Sequence, residues 1–420
     1  MIGIGGIGIS ALAQMFLRDG WKVVGTNDNP SPQTLDRVRA LGAQIYVGAD
    51  VRNIEPETEL IVYSDAWETM EPEFMKSVRS LGIRTISYFQ ALGEVSKGKK
   101  TVAISGTHGK TTTTGMLVKI LSDVGAAPTG IIGSIVKDFG SNYVAGTSNL
   151  LVVEACEYKD HLLELSPNIL VVTNLEWDHT DYFPSLGALQ ETFKKAIECV
   201  PEDGVIVTNP QDKNIAPLLV GAKAKIIDYT KEQEYELQMI GEFNKMNARA
   251  AAAAARAIFP EIQDTTIYGS VASFKGTWRR FEYKGTTKNG AEVYDDYAHH
   301  PTAVRKTLEA LRAKTPGKIV VAFHPHLYSR TRDLLEEFAT AFGSADEVII
   351  APIYAAREVD DGTISNVILA DRISATGTPA RALDSFDEIH KALETAEQGD
   401  TIITMGAGDI YKVADSLVEV

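Results

Sequence analysis

The sequence predicts an α/β fold in three domains: a Rossmann-like leading domain, a central P-loop domain with a mostly parallel sheet, and a Rossmann-like closing domain. Three observations carry that expectation. Short apolar runs alternate with helix-length segments along most of the chain. Several of those runs pass straight into Gly-rich or polar turns, which is where parallel sheets place ligands. The 420 residues also exceed what one hydrophobic core organises.

The leading segment, 1–96, reads as "MIGIGG", a helix through "SALAQMFLRDG", the strand "KVVGT", a helix "TLDRVRALG" and the strand "LIVYS". Only Met1 and Ile2 precede the first Gly, so the first strand is short, and a one-strand deficit here would be expected to weaken sugar-nucleotide affinity more than ATP affinity. The polar, basic run "VSKGKKT" marks the first boundary. The central segment, 97–290, carries "TVAISGTHGKTTTTGMLVKILSDVG", "NLLVVEACEY", "PNILVVTNLEWDHTDYF" and "GVIVTNP". In "GEFNKMNARAAAAAARAIF" the alanine run reads as the close-packed body of a helix. The closing segment, 291–420, holds the strands "KIVVAFHP", "EVIIAPI" and "DTIITMGAGD", with "SRTRDLLEEFATAFG" as a helix between them.

Composition narrows the function classes. With 41 basic and 56 acidic residues the net charge is -15, which argues against nucleic-acid and anionic-membrane surfaces. An anionic ligand must therefore be held by local features. The two cysteines, Cys156 and Cys199, lack metal-type spacing and suit a reducing cytoplasm. No apolar run reaches membrane-span length, and the Gly-rich start lacks the basic flank of a signal peptide.

The stretch 102–117, "VAISGTHGKTTTTGML", is strand, Gly-bearing turn and helix. It departs from the usual phosphate-loop spacing, which needs a Gly where Ile104 stands. Exposed backbone N–H groups and the positive end of a helix dipole still make an anion cradle there. Lys110 can reach the β- and γ-phosphates, and the Thr111 hydroxyl is placed for Mg²⁺. A plain Gly-rich turn is the competing reading, but Gly-Lys-Thr-Thr directly after a strand is rarely idle. Near the start, Gly3, Gly5 and Gly8 have G-x-G-x-x-G spacing, with Asp28 twenty residues on. Alone that pattern is weak: NAD, another nucleotide diphosphate or a structural turn all fit it. Glu154 and His179 each follow an apolar strand and could hold Mg²⁺ or a phosphate oxygen, or equally be structural.

With these residues in view the chain resembles the Mur ligase family over nearly its whole length. The order "GIGGIG", "GTHGKTTT", "VVEACE", "TNLEWDHTDYF", "NKMNA", "RRFE", "DDYAHHPTA", "HPHLYSRT" and "GAGDI" is far more specific than any one motif. This family's ATP loop has the compact G-T-x-G-K-T form found here. The resemblance implies an ATP-dependent ligase with Mg²⁺ that phosphorylates a carboxylate and lets an amine attack the acyl phosphate. It implies UDP-N-acetylmuramate and L-alanine as the small-molecule substrates, with no nucleic acid, no membrane, a cytoplasmic location, and a monomer or homodimer.

Site residues follow by position. Gly106, Thr107, His108, Gly109, Lys110, Thr111 and Thr112 would cradle ATP, with Asn244, Asn247, Arg280 and Asp296 completing its site. Thr111, Glu154 and His179 would hold metal; Lys110, Glu154, His179 and Arg280 would be catalytic. Gly5, Gly6, Ile7, Gly8, Ser10, Ser64 and Asn142 would take the UDP-sugar, and Tyr297, His299, His326 and Arg330 the amino acid. Phe243, Asn27 and Leu327 depart from residues common in the family, the last leaving Arg330 as the carboxylate anchor. Lys194 and Lys195 lie near where some relatives carry a carbamoylated lysine, but read as a solvated helix face. Three alternatives stay open: a ligase adding a recycled peptide to the same sugar nucleotide, an NAD-dependent oxidoreductase built on 1–96, and a non-catalytic nucleotide-binding regulator.

Overall fold

The computed structural model describes residues 1–28 and 32–418, in two units: 1–176, 187–236 and 247–275 form one, and 177–186, 237–246 and 276–420 the other. In the first unit, strand β1 (Val24–Asn27) pairs in parallel with β2 (Gln44–Val47), and β3 (Leu60–Tyr63) with β4 (Arg84–Ser87). Ile2 bridges Thr26 on one side and Tyr63 on the other, and is all that remains of the expected first strand. The reason is local: Gly3, at φ +77, turns the chain into the helix Ile7–Arg18.

The same unit contains a seven-stranded sheet. Its strands are β5 (Lys100–Ser105), β6 (Thr129–Val136), β7 (Ser141–Val144), β8 (Leu150–Glu154), β9 (Ile169–Val172), β10 (Val205–Thr208) and β11 (Lys225–Asp228), in the order β11-β10-β9-β5-β8-β6-β7. Only β7 runs antiparallel to its neighbour. The central strands are buried on both faces, which is why they read as unbroken apolar runs rather than as alternation. The helix Lys110–Asp123 leaves the C-terminal end of β5, the central strand. In the helix Glu242–Ile258, Ala248 and the alanines at 250–255 are all buried, so the run is close packing, as expected.

The second unit is built on a six-stranded sheet. Its strands are β12 (Glu282–Thr286), β13 (Glu292–Asp296), β14 (Ile319–Phe323), β15 (Glu347–Ile350), β16 (Ala380–Ala382) and β17 (Thr401–Met405), ordered β12-β13-β17-β14-β15-β16. Only the β12–β13 hairpin is antiparallel. Val304, Leu308, Phe338, Phe342 and Leu369 cover one face, and Ile389, Leu393, Val413 and Ala414 the other. The single helix expected over "SRTRDLLEEFATAFG" is broken into Tyr328–Asp333 and Leu335–Ala339. Leu334 takes a non-helical conformation at the break and buries its side chain in the core. Among the described residues no helix is long and apolar enough to cross a membrane.

Because Ala252 is fully buried, it has no room for added methylenes. Ala252→Leu is expected to destabilise the first unit by about 1–3 kcal/mol, read as a lower urea midpoint.

Candidate active site

The turn after β5 is fixed by two glycines. Gly106 sits at φ +126, and a Cβ there would lie 2.2 Å from Thr173 Oγ1. Gly109 sits at φ +83, and its Cβ would lie 2.2 Å from Asn247 Oδ1. No other residue type fits either place. The loop after β9 clamps the turn: the Thr107 N–H donates to Asn174 O at 3.1 Å, the His108 N–H to Asn174 Oδ1 at 2.9 Å, and the Asn174 amide donates back to His108 O at 2.9 Å. Thr173 Oγ1 donates to the same carbonyl at 2.6 Å, and Thr107 Oγ1 donates to Glu176 O at 2.9 Å. The turn is thus rigid before any ligand arrives.

Lys110 opens the helix Lys110–Asp123 and folds back over the turn. Its Nζ donates to Gly106 O, to Thr107 O at 3.3 Å and to Glu157 Oε1 at 2.9 Å. Burial acts to lower the Lys110 pKa, but the surrounding groups, Glu157 foremost, together outweigh it and the ammonium is held above its ordinary range. The next side chains, Thr111 and Thr112, are buried at the helix start.

Beyond the end of β8 lies a cavity of about 350 Å³, lined by Gly6 to Ile9, Ser64, Tyr88, Gly133, Glu154, Tyr158 and His161 among others. Glu154 Oε2 accepts from the Gly133 N–H at 2.9 Å. That bond fixes a carboxylate, a hard oxygen donor of the kind that suits Mg²⁺, on the cavity wall. Cys156 also lines the cavity, where burial pushes its thiol up to about 12 and leaves it unreactive.

The residues expected to take a sugar nucleotide divide into two groups. Gly6, Ile7, Gly8 and Ser64 face the cavity, at the N-terminus of the helix Ile7–Arg18. Ser10 and Asn142 instead form a buried joint. Asn142 Nδ2 donates to Ser10 Oγ at 3.0 Å and to Ile7 O, and Asn142 Oδ1 accepts from Gln14 at 2.9 Å. Their polar atoms are spent on anchoring the glycine turn to β7, so their effect on a ligand passes through that turn. Gly5 donates to Asn27 Oδ1 at 3.2 Å, which gives Asn27 a structural part.

In the second unit the expected amino-acid residues come together. Tyr297 and His299 rings lie 5.4 Å apart, and His299 and His326 rings 6.1 Å apart. The Arg330 guanidinium is buried; its Nε donates to Asp178 Oδ1 at 2.8 Å and its Nη1 to His326 Nδ1 at 3.0 Å and His326 O at 3.1 Å. Burial, then Arg330, lowers His326 to about 3 and holds His299 well below the usual imidazole range. Both rings are neutral near pH 7. Burial acts to raise Asp178, but Arg330 together with His179, His300 and His299 outweighs it and holds the carboxyl well below its ordinary range. Leu327 is buried at φ +72 in the same turn.

The paired arginines of "RRFE" separate by role. Arg279 is buried against Asp295 at 2.8 Å and donates to Gly406 O and Gly408 O, locking the hairpin to the "GAGDI" turn. Arg280 lies over the Tyr297 ring, 4.8 Å from its centroid. Asp296 accepts from the Phe281 and Ala298 N–H groups at 2.6 and 2.7 Å, and burial, opposed by Arg280, raises its carboxyl to about 6. Asn244 and Asn247 are both buried on the helix Glu242–Ile258. Lys195 is exposed and Lys194 half-buried on the helix Leu186–Cys199. Sequence reasoning missed Asn174, Glu157 and Asp178. The only available signal was that each is a polar residue within a few positions of a buried strand's end.

Comparison with known proteins agrees along the whole length. The Mur ligase family catalytic-domain profile matches residues 1–100, the Mur ligase middle-domain profile 104–237, and the Mur ligase glutamate ligase domain profile 279–408. The UDP-N-acetylmuramate--L-alanine ligase of Clostridium acetobutylicum is 36% identical over 444 residues, covering 99% of this chain and 96% of its own. Its namesake from Clostridium botulinum strain Langeland is 37% identical over 445 residues, at the same coverage. The crystal structure of UDP-N-acetylmuramate-alanine ligase from Thermotoga maritima superposes with a TM-score of 0.80 at 26% identity, covering 99% of this chain and 97% of that one. A murein peptide ligase from Psychrobacter arcticus shares the fold, with a TM-score of 0.75 at 24% identity over 100% of this chain and 99% of that one.

Gly109→Ala forces a methyl group toward Asn247 and strains a left-handed residue by about 1–2 kcal/mol. Calorimetric titration with a nonhydrolysable nucleoside triphosphate is expected to show about tenfold or greater loss of affinity, with the far-ultraviolet circular dichroism unchanged.

Proposed function

The chain belongs to the Mur ligase family, and from that premise we propose that it joins L-alanine to the carboxylate of UDP-N-acetylmuramate at the expense of ATP. The carboxylate oxygen attacks the γ-phosphorus as the bond to ADP breaks. The alanine nitrogen then attacks the acyl carbon, and the amide forms as phosphate leaves and the amine's proton goes to solvent. The observation that carries this reading is agreement with alanine-adding relatives over 99% of the chain, together with a rigid glycine turn that aims Lys110. The functional regions are 1–96 for the UDP-sugar, 97–290 for ATP and 291–420 for the amino acid.

Two anions must be brought together, so positive charge has to be concentrated locally. The turn from Gly106 to Thr112 takes the triphosphate, and Lys110 exchanges Glu157 for phosphate oxygens. Arg280, Asp296, Asn244 and Asn247 are the further residues that the family resemblance assigns to ATP. The diphosphate of the sugar nucleotide lies at the Gly5–Gly8 turn, where the start of the helix Ile7–Arg18 favours an anion. The cavity running from that turn to Glu154 then presents the sugar's carboxylate to the nucleotide. Thr111, Glu154 and His179 are the residues that the family resemblance assigns to Mg²⁺, which would neutralise charge on the transferring group. Tyr297, His299, His326 and Arg330 receive alanine. The protein works in the cytoplasm, where ATP and sugar nucleotides are made, as a monomer or homodimer.

Phosphate release with ATP, Mg²⁺ and UDP-N-acetylmuramate, while the amine is varied, tests this. L-alanine is expected to give the highest turnover, and Lys110→Ala to lower it by about a hundredfold or more. Equal release without any amine would make the protein an ATPase instead. A second expectation concerns pH. Asp296 is raised to about 6, so it accepts hydrogen bonds as a carboxylate only above that value. The KM for ATP is expected to rise as pH falls through about 6, and Asp296→Asn to remove that step. The stability sign is opposite: a raised carboxyl favours the folded state at low pH, and that contribution is lost as pH rises through about 6.

A further inference from the structure

We propose that Asp178 is a positioning residue for amide formation, holding Arg330 in the one orientation that presents the incoming amine correctly. The inference rests on the functional reading above and adds a residue to it. Asp178 and Arg330 are 152 positions apart in sequence, yet they form a buried ion pair with Nε 2.8 Å from Oδ1. The same Oδ1 accepts the His179 N–H at 2.7 Å. Oδ2 lies 3.9 Å from His299 Nε2, so one carboxylate reaches both the arginine and a histidine of the amino-acid pocket.

The physical argument concerns a long side chain. An arginine has several rotatable bonds, and a buried guanidinium keeps one plane only where its donors are engaged. Here Asp178 takes Nε and His326 takes Nη1, which leaves the fork aimed by its neighbours rather than by its own backbone. The His326 ring is neutral and cannot supply the countercharge. Asp178 therefore provides both the charge and the direction. Without it, Arg330 would still attract a carboxylate, but to a variable place, so the chemical step suffers more than binding does.

The discriminating variant is Asp178→Asn, which keeps the shape and an oxygen for the His179 N–H while removing the charge. Hydroxylamine, an amine without a carboxylate, intercepts the acyl phosphate without using Arg330. In Asp178→Asn the kcat with L-alanine is expected to fall about tenfold to a hundredfold, while the KM for ATP stays within about twofold and hydroxylamine-driven phosphate release is retained. A double variant, Asp178→Asn with Arg330→Lys, is expected to be no slower than Arg330→Lys alone. Unchanged kcat with alanine would overturn the proposal, and so would a parallel fall with hydroxylamine, which marks general structural damage. If Asp178→Asn is not recovered folded, Arg330→Lys, which loses the Nε donor, is read by the same alanine-to-hydroxylamine comparison. Wild-type release that ignores alanine would defeat the functional reading itself. Alanine-dependent wild type with an unaffected variant would defeat only this inference.

Discussion

Everything on the nucleotide side depends on how closely the turn after β5 approaches the strand ends beside it. Gly106 and Gly109 leave no space for a Cβ, because Thr173 and Asn247 already occupy it. Thr173 is brought there by the sheet order, in which β5 lies between β8 and β9, and Asn247 by the helix Glu242–Ile258. One neighbouring strand delivers Glu154 and, three residues on, Glu157; the other delivers the loop from Thr173 to Glu176. A phosphate turn on an edge strand would have only one such flank. At the centre it is clamped from one side and supplied with carboxylates from the other.

How much of this could be read in advance depends on the range of the interaction. The strand runs, the "GTHGKTTT" turn and the alanine-rich helix were legible because each is a local pattern: period, glycine placement or small-residue packing. Glu154 was legible because a carboxylate directly after an apolar strand is a positional cue. The joint between Ser10, Gln14 and Asn142 was not, since its partners lie 128 to 132 positions apart and nothing local marks them. The same holds for Asp178 with Arg330. The adjacent Arg279 and Arg280 show the limit most plainly: both lie over the Tyr297 ring, but Arg279 is also sealed against Asp295 and the carbonyls of Gly406 and Gly408. The helix break at Leu334 has a similar origin, because burial in the core overrides a run of good helix formers.

An acidic chain that handles polyanions looks paradoxical only if charge is averaged over the surface. The net charge of -15 is a property of the whole. What a bound phosphate experiences is the nearest few ångströms, where N–H groups, one lysine and the helix dipole dominate. Lys110 shows how that charge is kept ready. Its partner Glu157 is 1% exposed, so the pair is screened little and the ammonium stays protonated despite burial.

The cluster proposed to receive the amino acid faces a different electrostatic problem. An amine can attack an acyl phosphate only as the free base, yet it arrives in water as an ammonium. A pocket with net negative charge would hold the ammonium form and slow the reaction. Here the negative charge on Asp178 is matched by Arg330, and both imidazoles are kept neutral by burial and by that same arginine. That pair therefore adds no surplus negative charge to stabilise the protonated amine. The two histidines still offer imidazole nitrogens as hydrogen-bond partners. Pairing the arginine with a buried carboxylate thus does two things at once: it fixes the guanidinium, and it keeps that carboxylate from favouring the unreactive protonation state.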